Sequence, residues 1–173
     1  MAKIEYKKPK FKELLVYVCE KMYDRPTFGD VVLNKVLAEI EWRAYETLQS
    51  PVSGQTFKRN EHGPTSYMLL PVRKEMEGTD LRTGPRDFHE YSQRATKALR
   101  PADTALFSEE EMAVIDSVID EYSNLNGLEA ETKIKAERKG FFLWEIGDEI
   151  PYAAVFLAGR EPTQAEKDFA LTL

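Results

Sequence analysis

Between Val31 and Leu48 the chain repeats apolar residues at three- and four-residue steps: Leu33, Val36, Leu37, Ile40, Ala44 and Leu48. That period is the signature of an α-helix with a buried face. Asp30 is placed to cap this helix, and Ser50-Pro51 stops it. An earlier stripe over residues 10–23 sets Phe11, Leu14, Leu15, Val18, Cys19 and Met22 on one side. Arg25-Pro26 breaks the chain between the two. These helices are expected to form the first layer of a core.

The remaining segments are shorter. Residues 51–64 are turn-rich, with a short strand expected around Thr56-Phe57-Lys58. A third helix is predicted from Ser66 to Glu77, ending at Gly78, with a kink at Pro71. The run LRTGPRDFHEYSQRA reads as a hairpin turning at Gly84-Pro85. Ser108 and Glu111 form a capping box, which opens a helix with Met112, Ile115, Val118, Ile119 and Tyr122 facing inward. Asn124 to Gly127 interrupts, and a polar helix follows over about residues 128–139. Beyond Gly140 the chain is apolar and irregular, and Pro151 suits the first position of a short helix. Thr163 and Glu166 repeat the capping-box pattern for a last helix to about Leu171. The expected fold is α+β and predominantly helical: one compact domain of about six helices with one or two small β-hairpins. It would span residues 10–171, after a basic N-terminal arm over 1–9.

Charge is unevenly spread along the 173 residues, whose net value is −6. Residues 1–12 carry five lysines against one glutamate, whereas residues 101–132 hold nine Asp or Glu and no Lys or Arg. The plain interpretation of that acidic block is a solvated helix face. The sharper one is a surface, including Asp116, Asp120 and Glu121, that steers a basic partner. Either disfavours non-specific nucleic-acid binding by this half of the chain. A single cysteine permits no internal disulfide. The charged N-terminus lacks the apolar core of a signal peptide, and nowhere do 18 apolar residues run together. A cytoplasmic protein is expected.

Catalytic patterns are scarce. His62 and His89 are the two histidines, neither with a ligand at helical spacing, and there is no CxxC pair. No phosphate-cradling loop or nucleophile elbow occurs, so no cofactor is expected. Cys19 falls on an apolar stripe and reads as core. Gly63-Pro64 suggests a tight chain reversal before the third helix. Glu145, Asp148 and Glu149 cluster around Gly147 and read as a solvated loop before they read as a site. Trp144, Ile146, Ile150, Pro151 and Tyr152 combine bulk with limited flexibility, which serves either a core plug or an anchor for a partner. For Trp144 core packing is preferred.

Four ordered stretches resemble the Panacea domain, the SocA-like antitoxin fold of bacterial toxin–antitoxin loci and phages. The first is Leu33-Asn34-Lys35-Val36-Leu37. The second is Gly63-Pro64 with the helix ending at Glu77-Gly78. The third runs from Leu99-Arg100-Pro101-Ala102-Asp103 through Phe107-Ser108 to Tyr122. The last joins Trp144-Glu145, Gly147, Ile150-Pro151-Tyr152 and Gly159-Arg160-Glu161-Pro162. Together they cover roughly residues 30–170. The chain departs from the family at residues 136–140, which read Ala-Glu-Arg-Lys-Gly where a Ser-His pair is usual. His62 also stands where an aromatic is common, and Ser66 replaces a second proline.

The resemblance implies a non-enzymatic protein that neutralises a toxin encoded nearby by direct binding. One branch of the family acts instead as an adaptor delivering its toxin to a ClpXP-type protease. The partner-binding candidates are Asp116, Asp120, Glu121, Trp144, Asp148, Glu149 and Tyr152. Lys35, Gly63, Pro64, Trp144, Gly147, Ile150 and Pro151 carry the structural motif. A winged-helix-like DNA-binding regulator is the alternative, with Arg82, Arg86 and Arg94 on the wing and Lys3 to Lys12 as a basic arm. The acidic block weighs against it. A Mg²⁺-dependent nuclease built on clustered carboxylates is a third possibility, for which no two-metal spacing is visible.

Overall fold

The computed structural model of the chain describes residues 4–157, 164–170 and 172. Six α-helices are present among these residues: α1 (Lys8–Met22), α2 (Asp30–Leu48), α3 (Leu69–Met76), α4 (Glu109–Tyr122), α5 (Gly127–Glu137) and α6 (Gln164–Ala170). The strands are β1 (Phe57–Asn60), β2 (Gly63–Ser66), β3 (Leu81–Phe88), β4 (Tyr91–Ala98) and β5 (Glu149–Ile150). Short 3₁₀ turns cover Thr104–Leu106, Lys139–Leu143 and Tyr152–Leu157. The fold is α+β and mostly helical, in a single domain.

Helix α2 is the axis of the molecule. Eleven of its 19 residues are buried, the charged Lys35, Glu39 and Glu41 among them. It is packed by α1, α4, α5, β2, β4 and the Tyr152–Leu157 turn. The apolar stripe of α1 is buried throughout, Cys19 included. From α4, Ile115, Val118, Ile119 and Tyr122 complete the core.

Both helices of the α4–α5 pair start on capping boxes, Ser108 with Glu111 and Asn126 with Glu129. Each box satisfies two amide donors that would otherwise face water unpaired. The turn before α4 is tied to α1 by Glu13, which accepts from Arg100 Nη1 and Nη2 (2.9 and 2.7 Å) and from the Asp103 amide (2.7 Å).

The strands form two antiparallel sheets, one ordered β2-β1-β5 and the other the β3–β4 hairpin. Next to β1, Glu41 is fully buried and accepts from the Ser53 amide (3.0 Å), the Gly54 amide (3.4 Å) and the Ser53 hydroxyl. This carboxyl fastens the buried 52–54 loop onto α2, and burial raises its pKa.

Several local expectations are corrected. Gly29, not Asp30, is the N-cap of α2; Asp30 is its first residue and pairs with Arg73 of α3 (2.6 and 3.1 Å). The residues Gly63–Ser66 are strand, so α3 begins only at Leu69. Ser66 Oγ accepts from the amides of Met68 and Leu69 (3.1 Å each), setting the helix start. Pro71 thereby falls in the first turn of α3, where a backbone N–H has no helical acceptor and its lack costs no helical bond, so no kink is required. The β3–β4 hairpin turns at His89-Glu90, with His89 at φ 53°, while Gly84 and Pro85 lie mid-strand. Each strand of a two-stranded ribbon has a free edge, which is where proline is tolerated. Thr163 lies outside the described residues, as does the Gly159–Pro162 stretch.

Candidate partner-binding surface

One side of α2 carries a line of charges: Lys35, Glu39, Arg43 and Glu46, spaced by about one helical turn. Glu39 is 1% exposed. It accepts from Arg43 Nε and Nη2 (3.0 and 2.9 Å) and from Arg138 Nε and Nη2 (2.8 and 2.7 Å). Arg138 also reaches Glu46 (2.9 Å), and Arg43 grips Glu121 of α4 through two bonds (2.6 and 2.9 Å). Lys133 of α5 adds ion pairs to Glu121 (3.5 Å) and Glu137 (2.5 Å). These charge-assisted contacts hold α4, α5 and the chain after α5 on one side of α2. Glu121 thus spends its charge inside the molecule.

At the N-terminal end of the same line, Lys35 is 3% exposed and lies across Gly63. A Cβ on Gly63 would stand 2.8 Å from Lys35 Cε and 3.1 Å from Nζ. The residue also holds φ +109°, which L side chains rarely adopt, so two separate constraints require glycine there. Pro64 follows in β2 and is buried. Burial pulls the Lys35 pKa down to about 8; the Glu131 charge opposes this and the Lys135 charge adds to it. Glu131 itself is paired with Lys135, with His62 Nδ1 3.5 Å away, and Lys135 also donates to the Glu61 carbonyl (3.1 Å).

The outer face of α4 carries the exposed residues Glu109, Glu110, Asp116 and Asp120. Asp116 accepts from the Tyr17 hydroxyl (2.7 Å). The Tyr17 phenol is held above its ordinary pKa by burial, then by this hydrogen bond and by the charges of Asp116, Glu20 and Asp120. The exposed carboxylates of α4 and Glu20 of α1 thus lie around Tyr17, interrupted by Lys21 beside the Tyr17 ring and by the Lys10–Glu111 pair.

In the C-terminal segment, Trp144 and Tyr152 are buried, with Tyr152 donating to the Gln55 carbonyl (2.5 Å). The Trp144 carbonyl accepts from Arg59, so the core interpretation of this tryptophan matches its placement. Ile150 pairs with Phe57 across β5 and β1, and Pro151 caps the following turn through its carbonyl (Ala154 amide, 3.0 Å). Asp148 and Glu149 are exposed, with Asp148 accepting from the Glu145 amide (3.1 Å) around Gly147 at φ +99°. The two groups of candidates are thus unlike: the carboxylates face out and the aromatics face in.

The hairpin arginines do not share a face. Cross-strand pairing puts Arg82 and Arg86 on one side of β3–β4 and Arg94 on the other. Arg86 is anchored on Tyr23, donating to its carbonyl (2.5 Å) with the guanidinium 4.7 Å from the ring centre. Among the described residues no group of three or more His, Cys, Asp or Glu is placed to hold a metal ion. Among the described residues no helix is long and apolar enough to cross a membrane.

Of the functional groups described, the Arg138–Glu39 pairing escaped sequence reasoning. The four-residue step from Glu39 to Arg43 was a visible signal for half of it. Nothing in the sequence signalled that Arg138, 99 positions from Glu39, would close the other half.

What the fold and its charged faces define is a mostly helical α+β domain ordered around a single polar-striped helix. The model of the family "Antitoxin SocA-like, Panacea domain" matches residues 33–139. That is more than half of the chain, and the chain belongs to this family. The match takes in Lys35, Gly63, Pro64 and the whole α4–α5 pair and ends at Lys139, before the Trp144–Tyr152 segment. No curated protein and no solved structure matches the chain.

Proposed function

We propose that the protein is an antitoxin that neutralises a toxin encoded nearby by binding it directly, without turnover of a substrate. Membership of the antitoxin family is the observation that carries this reading. The exposed carboxylates Glu109, Glu110, Asp116 and Asp120 of α4 support it, because a negative field steers a basic protein toward itself. Asp120 stands free among these, whereas Glu121 is spent on Arg43.

Co-expression with the product of the adjacent reading frame tests the proposal. Growth arrested by that product is expected to resume, and the two proteins to purify as a complex. Arrest that persists, with no complex, contradicts it. Asp120→Lys combined with Asp116→Asn keeps an acceptor for the Tyr17 hydroxyl while reversing the field. This double variant is expected to bind the toxin at least about tenfold more weakly, roughly 1.4 kcal/mol, with its melting temperature unchanged. Unchanged affinity would make the acidic face a solvated surface only. Rescue that requires an active ClpXP-type protease, rather than complex formation alone, would favour the adaptor mode.

A further inference from the structure

A cleft of about 400 Å³ opens between the C-terminal end of α1 and the chain leaving β4. Glu20, Tyr23 and Asp24 line one wall, and Lys97, Leu99 and Arg100 the other. Its volume falls within the roughly 300–1,000 Å³ of sites that hold small ligands. Both walls are fixed from behind. The Tyr23 amide donates to the Cys19 carbonyl (3.0 Å), and the Tyr23 carbonyl accepts from Arg86 (2.5 Å). Arg100 is spent on Glu13 (2.9 and 2.7 Å), Asp80 (2.5 Å) and the Pro101 carbonyl (3.0 Å). The Leu99 amide donates to the Asp80 carbonyl (2.8 Å). The walls are thus set by bonds that leave other polar groups of the cleft unused.

Three charged groups bordering the cleft remain uncommitted. Asp24 is exposed and, among the described residues, takes part in no hydrogen bond or ion pair. Glu20 is exposed and accepts through one oxygen only, from the Ala102 amide (3.2 Å). Lys97 is exposed, with Nζ 5.5 Å from the centre of the Tyr23 ring, and forms no ion pair among the described residues. The other cation at this ring, Arg86, is held on its face (4.7 Å) and on the Tyr23 carbonyl. Opposite charges therefore border one cleft without meeting. A ligand of a single sign satisfies one wall and is repelled by the other, whereas a ligand carrying both signs satisfies both. The negative end of the α1 dipole adds to the pull of Glu20 and Asp24 on a cation. Leu99, 38% exposed, supplies an apolar rim on the opposite wall.

We propose that this cleft binds a small zwitterion, a free α-amino acid with an aliphatic side chain. Its ammonium lies against Glu20 and Asp24, its carboxylate accepts from Lys97, and its side chain rests on Leu99. The site goes beyond the reading of the protein as an antitoxin and does not depend on it. Because the walls are already braced by Arg86 and Arg100, the ligand does not have to order them, which lowers the cost of binding.

The probe is L-leucine, titrated against the full chain and followed by NMR. Saturable shifts are expected at Tyr23, Asp24, Lys97 and Leu99, with affinity in the millimolar range. 3-Methylbutylamine lacks the carboxylate and 4-methylpentanoate lacks the ammonium; each is expected to bind at least about tenfold more weakly. Asp24→Asn and Lys97→Met, both at exposed positions, should each weaken leucine binding at least about tenfold with the melting temperature unchanged. Lys97→Met should leave the weak binding of 3-methylbutylamine undiminished, which a general loss of the cleft would not. The proposal is overturned by an absence of saturable shifts, by either half-molecule binding as well as leucine, or by full affinity in either variant. Arginine or lysine binding at least about tenfold better than leucine would overturn the aliphatic side chain in favour of a basic one. The probe requires no toxin, so failure here with growth rescue intact sinks this site alone.

Discussion

The two ends of the charged line along α2 solve the same problem in opposite ways. From Glu39 toward the C-terminal end the charges are paired: Glu39 is buried and receives four hydrogen bonds from two arginines, one of them from beyond α5. At the N-terminal end, Lys35 is buried against Gly63 and donates to no acceptor among the described residues. One end spends its charge on joining α4 and α5 to α2; the other keeps its charge uncommitted. On the proposed antitoxin reading, the uncommitted end is where a partner has something to gain.

Substitutions at the two ends should therefore move stability in opposite directions. The largest effect is expected at Arg138→Met, which leaves Glu39 buried with Arg43 alone. Chemical denaturation should show a loss of about 3 kcal/mol, with much of it recovered in the double variant Glu39→Leu, Arg138→Met. A single variant as stable as the wild type would break the contrast from the closed side.

Lys35→Met should stabilise the chain at neutral pH. The folded lysine has a pKa of about 8 against an ordinary 10.5, so the folded state binds fewer protons than the unfolded state between those values. Stability of the wild type is therefore expected to climb as pH rises from about 8 toward 10.5, while the full penalty stands below 8. That penalty is on the order of 3 kcal/mol. The variant should lack this slope.

The smallest effect is expected far from either end, at Glu75→Gln. Glu75 meets Lys8 and Lys12 (2.6 Å each) at the surface, and its pKa is lowered to about 2 by those two hydrogen bonds. A lowered carboxylate pKa stabilises above the unfolded value and is lost as pH falls toward 2. Solvent and salt screen so exposed a pair, so the unfolding midpoint should barely move, and less still at high salt.

Much of the fold was legible because its signals are local. The period of the 31–48 run and the Ser108–Glu111 capping box depend on neighbours a few positions apart, and both are where they were expected. The misplaced features depend on partners far away. Gly84-Pro85 looks like a turn, but cross-strand pairing of 81–88 with 91–98 moves the reversal to His89-Glu90. Asp30 looks like a cap, but Arg73, 43 positions later, claims its carboxylate. The same holds for the site. Lys35 and Gly63 were legible as motif residues, yet only their contact across 28 positions shows a lysine without an acceptor. The acidic block was visible as a run; its division into the committed Glu121 and the free Asp120 required α2 to be placed beside it.

The contrast between the two ends can be tested most directly by titrating Lys35 itself, following its side-chain carbon beside the amine by NMR from pH 6 to 12 in the free, full-length chain. A midpoint near 8 is predicted for a buried amine that its own chain leaves without an acceptor. A midpoint at or above the ordinary 10.5 would mean that Lys35 is paired or fully hydrated in the folded state, and would contradict the open end of α2.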